Sequence, residues 1–188
     1  SSLVTGVQTC ALPISNDEEK KSYEKTKQFF ELPNSTKKKY EKKELNGQRG
    51  FISFGRETAK GFKHHDLKEF WHFGQTLDDN DPLNKEYEPN IYCEEIPEFN
   101  EIGRHVFETL EKAGNTILNA IALHLNLEEN YFTEKVYKGN SILRAIHYPP
   151  IKEDPGSSVR AAEHGDINLI TLLMGASEIG RASCRERV

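Results

Sequence analysis

The longest regular pattern in the chain is a row of apolar residues that recur every three or four positions. The row contains Phe99, Ile102, Val106, Leu110, Ala113, Ile117, Ile121 and Leu125. This spacing places the apolar side chains on one face of an α-helix. We therefore predict one long amphipathic helix after a polar, proline-containing connector over residues 78–97. A shorter helix is predicted within residues 128–137.

The N-terminal part of the chain, residues 16–44, predicts two further helices. Ser15 or Asn16 can cap the first of them, because both carry a short polar side chain and three acidic residues follow directly. Pro33 ends this helix, since proline cannot donate a backbone hydrogen bond in a helix interior.

The second of these helices carries a run of three lysines over residues 37–39, and Ser35 or Thr36 would cap it. Such a run raises the question of nucleic-acid binding. Glu41 and Glu44 follow it at helical spacing. We therefore interpret the lysines as a solvent-exposed face.

Four short segments have the composition of β-strands. Residues 50–55 and 68–74 are rich in aromatic side chains and bounded by glycines, residues 140–148 form a run closed by Tyr-Pro-Pro, and residues 169–174 are almost entirely apolar. We expect a strand in each segment.

Alternation along the third of these strands decides which side chains share a face. Arg144, Ile146 and Tyr148 are expected on one face and His147 on the other. We interpret His147 as a structural residue rather than a metal ligand. For Tyr148, a place in the core and a place in a binding site are both open on this evidence.

Composition excludes several classes of function. The chain has 188 residues, a net charge of −5 and a mean hydropathy of −0.71. It is long enough for one domain with a core, it contains no apolar run of membrane-spanning length, and its mild acidity does not favour nucleic acid as a partner. We expect a cytoplasmic protein.

The two ends of the sequence look foreign to the rest. Residues 1–15 and 178–188 share no periodicity with the parts they flank and resemble translated adapter sequence, so we leave them out of the fold prediction. Cys10 and Cys184 lie in these flanks. Cys93 is then the only cysteine of the body, and no disulfide framework is expected.

Candidate metal ligands lie just before the last apolar segment. His164 and Asp166 are two residues apart in the sequence Glu-His-Gly-Asp. An imidazole nitrogen and a carboxylate oxygen at this spacing can bind one face of a divalent iron, and a second histidine would complete a facial triad. The same triplet also occurs as an ordinary polar turn before a strand.

Two nearby motifs strengthen the metal-binding interpretation. They are Leu-Arg-x-x-His-Tyr-Pro-Pro over residues 143–150 and Leu-Ile-Thr-Leu-Leu over 169–173, on either side of Glu-His-Gly-Asp at 163–166. Together the three motifs resemble the isopenicillin N synthase-like group of iron(II)- and 2-oxoglutarate-dependent oxygenases. Gly55, Gly61 and residues 67–74 also match bacterial members of this group. The resemblance extends over residues 16–177.

The resemblance implies an α+β protein. A mainly helical region over residues 16–139 would precede the first strands of a double-stranded β-helix, or jelly roll, over residues 140–177, with the barrel truncated. It also implies Fe(II) bound by His164 and Asp166, and 2-oxoglutarate as co-substrate with Tyr148 holding its carboxylate. Dioxygen and a small molecule would be the other reactants, with no nucleic acid and no membrane as partner.

Members of this group carry a second histidine ligand and an Arg-x-Ser motif far beyond the aspartate. No histidine follows His164 in this sequence, and Arg-Ala-Ser at residues 181–183 lies in the foreign-looking end. We therefore expect an incomplete fragment of such an enzyme. Two alternatives stay open: an oxidase of the isopenicillin N synthase type that uses no 2-oxoglutarate, and an inactive fragment or pseudo-enzyme.

A second polar cluster, His64, His65 and Asp66, invites a second metal site. Adjacent residues cannot easily turn their side chains to one ion, and no further ligand lies at a suitable spacing. We therefore predict no metal at this cluster. Its loop is a candidate for contact with the substrate.

Overall fold

The computed structural model describes residues 14–45, 47–58, 63–151, 154–162 and 168–174. Its regular elements are the helices α1 (Asn16–Glu31), α2 (Asn34–Lys37), α3 (Pro97–His124) and α4 (Thr133–Val136) and the strands β1 (Gly50–Ile52), β2 (Glu69–Gly74) and β3 (Ile142–His147). Short 3₁₀ turns connect some of them. The predicted α+β class is confirmed.

The three strands form one antiparallel sheet in the order β1-β2-β3. Trp71 in the central strand is the Cα partner of Phe51 on one side and of Ala145 on the other. The sheet therefore joins strands from both sides of residue 139. This residue is the predicted boundary between the mainly helical region and the jelly-roll strands. That boundary stays a prediction.

The main core is an aromatic cluster between the sheet and the helices α1 and α3. Phe29 of α1 stacks on Phe99 of α3 at a centroid distance of 5.0 Å and meets Trp71 edge-on at 4.8 Å. All three side chains are buried. Such ring pairs add directional attraction to the large apolar area they bury. One sheet face is thereby fixed against the two helices.

Helix α1 begins with a capping box in which Ser15, one of the two predicted caps, is the N-cap residue. The Ser15 hydroxyl accepts a hydrogen bond from the Glu18 backbone N–H, and the Glu18 carboxylate accepts one from the Ser15 N–H at 2.8 Å. Ile14, just before the cap, is buried against Ile102 and Val106 of α3. Of the segment that looks foreign in sequence, Ile14 therefore packs in the fold and Ser15 caps α1.

The start of α2 differs from the prediction. The helix begins at Asn34 directly after Pro33, so Ser35 and Thr36 lie inside it and neither caps it. Lys37 is its last residue and is buried. α1 has already ended at Glu31, and the Pro33 ring restricts the backbone between the two helices.

The apolar face of α3 follows the prediction over the first half of the helix only. Phe99, Ile102 and Val106 are buried as expected, whereas Ile117 is 42% exposed. The buried residues of the second half are Gly114, Leu118 and Ala122. A straight α-helix has 3.6 residues per turn, so a row of residues spaced alternately three and four apart drifts slowly around the helix axis. Over the length of α3, the buried positions therefore move by one residue relative to the predicted row.

The strand predicted around Leu172 is absent from the described residues 168–174. Part of this segment lies along α3, where the Leu172 and Ile170 side chains approach Gly114 and Met174 packs against Ile102 and Val106. An apolar sequence alone does not make a strand, because a strand also needs a neighbour for its backbone hydrogen bonds.

Two glycines of α3 should respond in opposite ways to alanine. A Cβ on Gly103 would lie 2.4 Å from the Phe73 ring, whereas at Gly114 the nearest atom is a flexible Leu172 methyl at 3.4 Å. We expect Gly103→Ala to destabilise the fold by about 1–3 kcal/mol through overpacking. Gly114→Ala should be neutral or stabilise it by up to about 1 kcal/mol, through helix propensity.

Urea unfolding of the two variants beside the unsubstituted chain measures both effects. Equal changes in the two variants would contradict the close contact between Phe73 and α3.

Among the described residues, none of the helices combines the length and apolarity needed to cross a membrane.

Candidate functional site

The sheet has a second face, turned away from the aromatic core, which we call the open face. It carries Ile52, Phe70, His72, Arg144 and Ile146, because residues paired across neighbouring strands point to the same side. Side chains of β3 on this side are exposed, and those of the alternate positions are half-buried. The predicted alternation along this strand is confirmed.

Arg144 organises the polar part of the open face. Its guanidinium lies over the Phe70 ring at 4.3 Å and bonds to the Glu57 carboxylate at 3.1 Å. Its Nε donates to Nε2 of His72 at 2.7 Å. A planar guanidinium can make these contacts at the same time, which an ammonium group cannot.

The contacts of His72 define its protonation state. Nε2 accepts from Arg144, so Nδ1 carries the proton and donates to the Gly47 carbonyl at 2.7 Å. Burial, and then the charge of Arg144, lower the pKa of His72 from 6.5 to about 4. The imidazole is therefore neutral near pH 7 and orients the guanidinium of Arg144.

The depressed pKa of His72 predicts a loss of stability in mild acid. Between pH 6.5 and about 4 the unfolded chain binds a proton at this residue and the folded chain does not. Stability should therefore fall across this window as the pH is lowered, by up to about 3 kcal/mol. Chemical unfolding of the unsubstituted chain and of His72→Gln at several pH values isolates this contribution.

The glutamine variant should lose the upper part of this pH dependence, whereas the part near pH 4.5, where Glu57 and Glu69 begin to titrate in the unfolded chain, should remain. Curves of the same slope for the two proteins would show that His72 is not the titrating group.

Tyr148 directly follows β3, at the end of the open face, and is half-buried. Nη1 of Arg160 lies 3.5 Å from the Tyr148 carbonyl oxygen. The segment that leads to His164 therefore passes close to the tyrosine. Its role toward 2-oxoglutarate stays a prediction.

The segment over residues 159–162 is held by the loop before β2. The Leu67 N–H donates to the Val159 carbonyl at 2.8 Å, and the Ala162 N–H donates to Oδ1 of Asp66 at 3.1 Å. Lys68 bonds to the other Asp66 oxygen at 2.9 Å. The chain two residues before His164 is thus attached to the sheet.

Lys68 also joins this loop to the open face through Glu57, at 2.6 Å. Burial alone would lower the pKa of Lys68, but its bonds to Glu57 and Asp66 outweigh burial and raise it. Glu57 shifts the other way, because its bonds to Lys68 and Arg144 outweigh burial and lower its pKa. The four side chains carry two charges of each sign, so the buried charges of Lys68 and Asp66 are compensated.

The interpretation of the lysine run as a solvent-exposed face is wrong for Lys37. This residue is 3% exposed, and its Nζ bonds to both oxygens of Glu69 at 2.9 Å and to the Phe30 carbonyl at 3.0 Å. Nδ1 of His147 lies 2.8 Å from the same carboxylate. The short α2 places Lys37 directly against Glu69, the first residue of β2. Without Lys37, the Glu69 carboxylate would be buried without its cation.

His147 has the structural role that its alternation predicts. Its ring stacks on Phe30 at 5.1 Å and bonds to Glu69 on the core side of the sheet. Burial alone would raise the pKa of Glu69, but the hydrogen bonds from His147 and Lys37 lower it overall. These contacts of His147 with Phe30 and Glu69 hold the end of β3 next to Tyr148.

The predicted iron ligands His164 and Asp166 lie outside the described residues, so their assignment stays a prediction. Of the cluster at residues 64–66, Asp66 is occupied by Lys68 and Ala162, and His65 bonds to Thr58 at 2.7 Å. Within the described ranges, no group of three or more His, Cys, Asp or Glu side chains could hold a metal ion.

A cavity of about 640 Å³ lies between α2 and β1. Its lining includes Asn34, Lys38, Glu41, Phe51 and Arg56 and contains no residue of β3 or of the segment over residues 159–162. Tyr148 is not among the residues that line this cavity.

Comparison with known proteins gives this geometry a context. Residues 8–95 match the family model of the N-terminal domain of a non-haem dioxygenase in morphine synthesis. The proline hydroxylase buaE of Petromyces alliaceus is 31% identical over 157 residues, covering 79% of this chain and 47% of that protein. The 2-oxoglutarate-Fe(II) type oxidoreductase ppzD of Metarhizium rileyi is 28% identical over 172 residues, covering 85% and 48%.

Solved structures agree. A 2OG-Fe(II) oxygenase family protein from Caulobacter crescentus has 41% identity and a TM-score of 0.67, over 74% of this chain and 46% of that one. A full-length protein of Neurospora crassa, solved in complex with alpha-KG, has 26% identity and the same TM-score, over 82% and 49%. Most of this fold is therefore shared with proteins of known structure.

The chain spans about half the length of the curated relatives it matches. A match over 79–85% of this chain is long enough to include all three strands of the sheet. The family model, the sequence relatives and the structural neighbours all point to the same group. The chain belongs to the iron(II)- and 2-oxoglutarate-dependent oxygenase family.

Proposed function

We propose that the whole protein is an Fe(II)- and 2-oxoglutarate-dependent oxygenase that hydroxylates a small molecule or oxidises it in a related way. The observation that carries this proposal is the attachment of residues 159–162 to the loop before β2 and to Tyr148. It holds Arg160, four residues before the predicted iron ligand His164, close to the predicted 2-oxoglutarate residue Tyr148.

The side chains of this chain suit the two groups chemically. His164 and Asp166 supply one nitrogen and one oxygen donor, the ligand types of a facial iron site. Tyr148 can donate a charge-assisted hydrogen bond to a carboxylate of 2-oxoglutarate. Iron and 2-oxoglutarate, when bound, supply the oxidising chemistry, in which dioxygen is consumed and 2-oxoglutarate becomes succinate and carbon dioxide.

The rest of the open face has a role in binding under this proposal. Ile146, two residues before Tyr148, is 40% exposed and offers apolar surface near it, and Ile142 at the other end of β3 is exposed to the same extent. Arg144, held by His72 and Glu57, adds a fixed positive charge close by. A small organic substrate with an apolar body fits such a surface. A cytoplasmic location belongs to the same proposal.

A sequencing read across the source locus, past the codon of Ser177, tests whether the site can be completed. The proposal expects the reading frame to continue to a second histidine ligand and then to an Arg-x-Ser motif, which would bind the far carboxylate of 2-oxoglutarate as a bidentate pair. A gene that ends at Val188 would supply two protein ligands only and would contradict the proposed activity.

A further inference from the structure

We propose that Asp66 is a positioning residue for the predicted iron ligand His164. It would act by fixing the backbone of residues 159–162, and the inference rests on the function proposed above. Asp66 is 2% exposed and lies in the loop before β2, far from His164 in sequence.

The contacts of Asp66 reach the metal-binding segment directly. Its Oδ1 accepts a hydrogen bond from the Ala162 backbone N–H at 3.1 Å, across 96 positions of sequence. Ala162 is itself 4% exposed. Two residues further along the chain, the backbone can have moved by at most roughly 7 Å. The position of Ala162 therefore limits where the His164 side chain can start.

A second bond of the same loop sets the direction of the segment. The Leu67 N–H donates to the Val159 carbonyl at 2.8 Å, so the segment is held at both ends. The Asp66 N–H in turn donates to the Glu57 carbonyl at 2.9 Å. Two separated bonds fix an orientation, whereas one bond would leave the segment free to pivot.

The carboxylate is held by a charge network rather than by packing alone. Lys68 bonds to Asp66 at 2.9 Å and to Glu57 at 2.6 Å, and Glu57 bonds to Arg144 at 3.1 Å. Through these contacts the segment before His164 and the open face near Tyr148 share one rigid support. Outer partners of this kind orient the side chains that bind a metal.

Amide hydrogen exchange on the 188-residue chain tests the first step. In Asp66→Ala the Ala162 amide loses its hydrogen bond to Oδ1 of Asp66, and its exchange should accelerate by on the order of 10-fold. In Asp66→Asn one side-chain acceptor oxygen remains, so the acceleration should be smaller than in Asp66→Ala.

Asp81→Asn is the matched control. The Asp81 carboxylate is also nearly buried, accepts from the Leu83 N–H at 3.0 Å and pairs with Lys138, and both of these partners are remote from residues 159–162 in sequence. This variant should lose a comparable buried ion pair and leave the exchange of Ala162 unchanged. Unchanged exchange of Ala162 in Asp66→Ala, or equal acceleration in Asp81→Asn, would overturn the inference.

Co(II) binding by the full-length protein tests the second step. Loss of a supporting residue should weaken Co(II) by roughly 10–100-fold in Asp66→Ala and not in Asp81→Asn. Faster exchange with unchanged Co(II) affinity would overturn the positioning role. If the unsubstituted full-length protein bound no Co(II), the proposed function would fail, and the exchange result would describe a structural contact only.

Discussion

Full-length protein with His164→Ala is expected to bind Co(II) more than roughly 100-fold more weakly than the unsubstituted protein and to lose its oxygenase activity. Removal of an outer partner of a metal ligand already weakens a site by roughly 10–100-fold, and removal of the ligand itself should exceed that. Asp166→Ala should behave in the same way. Calorimetric titration with Co(II) measures the affinity, and the circular dichroism spectrum monitors the fold.

His124→Ala is the matched control for this prediction. His124 is exposed at the end of α3, so its loss removes an imidazole without touching the predicted site. Its Co(II) affinity should equal that of the unsubstituted protein. Full Co(II) affinity in both His164→Ala and Asp166→Ala would mean that the His-x-Asp motif is an ordinary polar turn.

Lys37→Met is expected to destabilise the fold by about 3–5 kcal/mol, because it leaves the Glu69 carboxylate buried without its cation. The side chains of Lys37 and Glu69 are 4% and 7% exposed, and both carboxylate oxygens bond to the ammonium at 2.9 Å. His147 would be the remaining partner of the carboxylate among the described residues. Urea unfolding measures the change.

Lys39→Met makes the same substitution two residues along the chain. Lys39 is 66% exposed and pairs with Glu95 at 3.5 Å, a surface ion pair that should contribute less than about 1 kcal/mol. Adding Glu69→Gln to Lys37→Met removes the uncompensated charge and should recover part of the lost stability. Equal losses for Lys37→Met and Lys39→Met would contradict the buried pair.

The local elements of the fold could be predicted because their signals are local. The capping residue Ser15, the glycine-bounded strand around Trp71 and the start of the long helix at Phe99 each follow from a few neighbouring residues. The burial of Lys37 could not be predicted in this way. It depends on Glu69, which is 32 positions away in sequence and approaches only when α2 meets β2.

The apolar segment around Leu172 shows the same limit. Its composition indicates a strand, but the described part of it lies along α3 near Gly114. Whether such a segment forms a strand depends on a second strand that pairs with its backbone groups. Composition contains no information about that partner. In the second half of α3, the buried residues also lie one position further along the chain than the simple three-and-four spacing predicts.

For the candidate site, the sequence identifies residues that could bind a metal or co-substrate better than the residues that hold them in place. The structural role of His147 follows from alternation along one strand, whereas Tyr148, predicted within that strand, lies directly after its last residue. His72 and Asp66 carry no such signal, because their partners Arg144 and Ala162 are 72 and 96 positions away. A buried aspartate or histidine next to a strand is visible only once the sheet is assembled.

Succinate release from 2-oxoglutarate by the Fe(II)-loaded full-length protein is the most direct test of the proposed activity. We predict that succinate forms only when dioxygen and Fe(II) are both present, and that His164→Ala abolishes it. Substrate oxidation without succinate would instead indicate an oxidase of the isopenicillin N synthase type. An unsubstituted protein that binds Fe(II) and yields neither succinate nor oxidised product with a broad panel of small molecules would contradict the proposed activity.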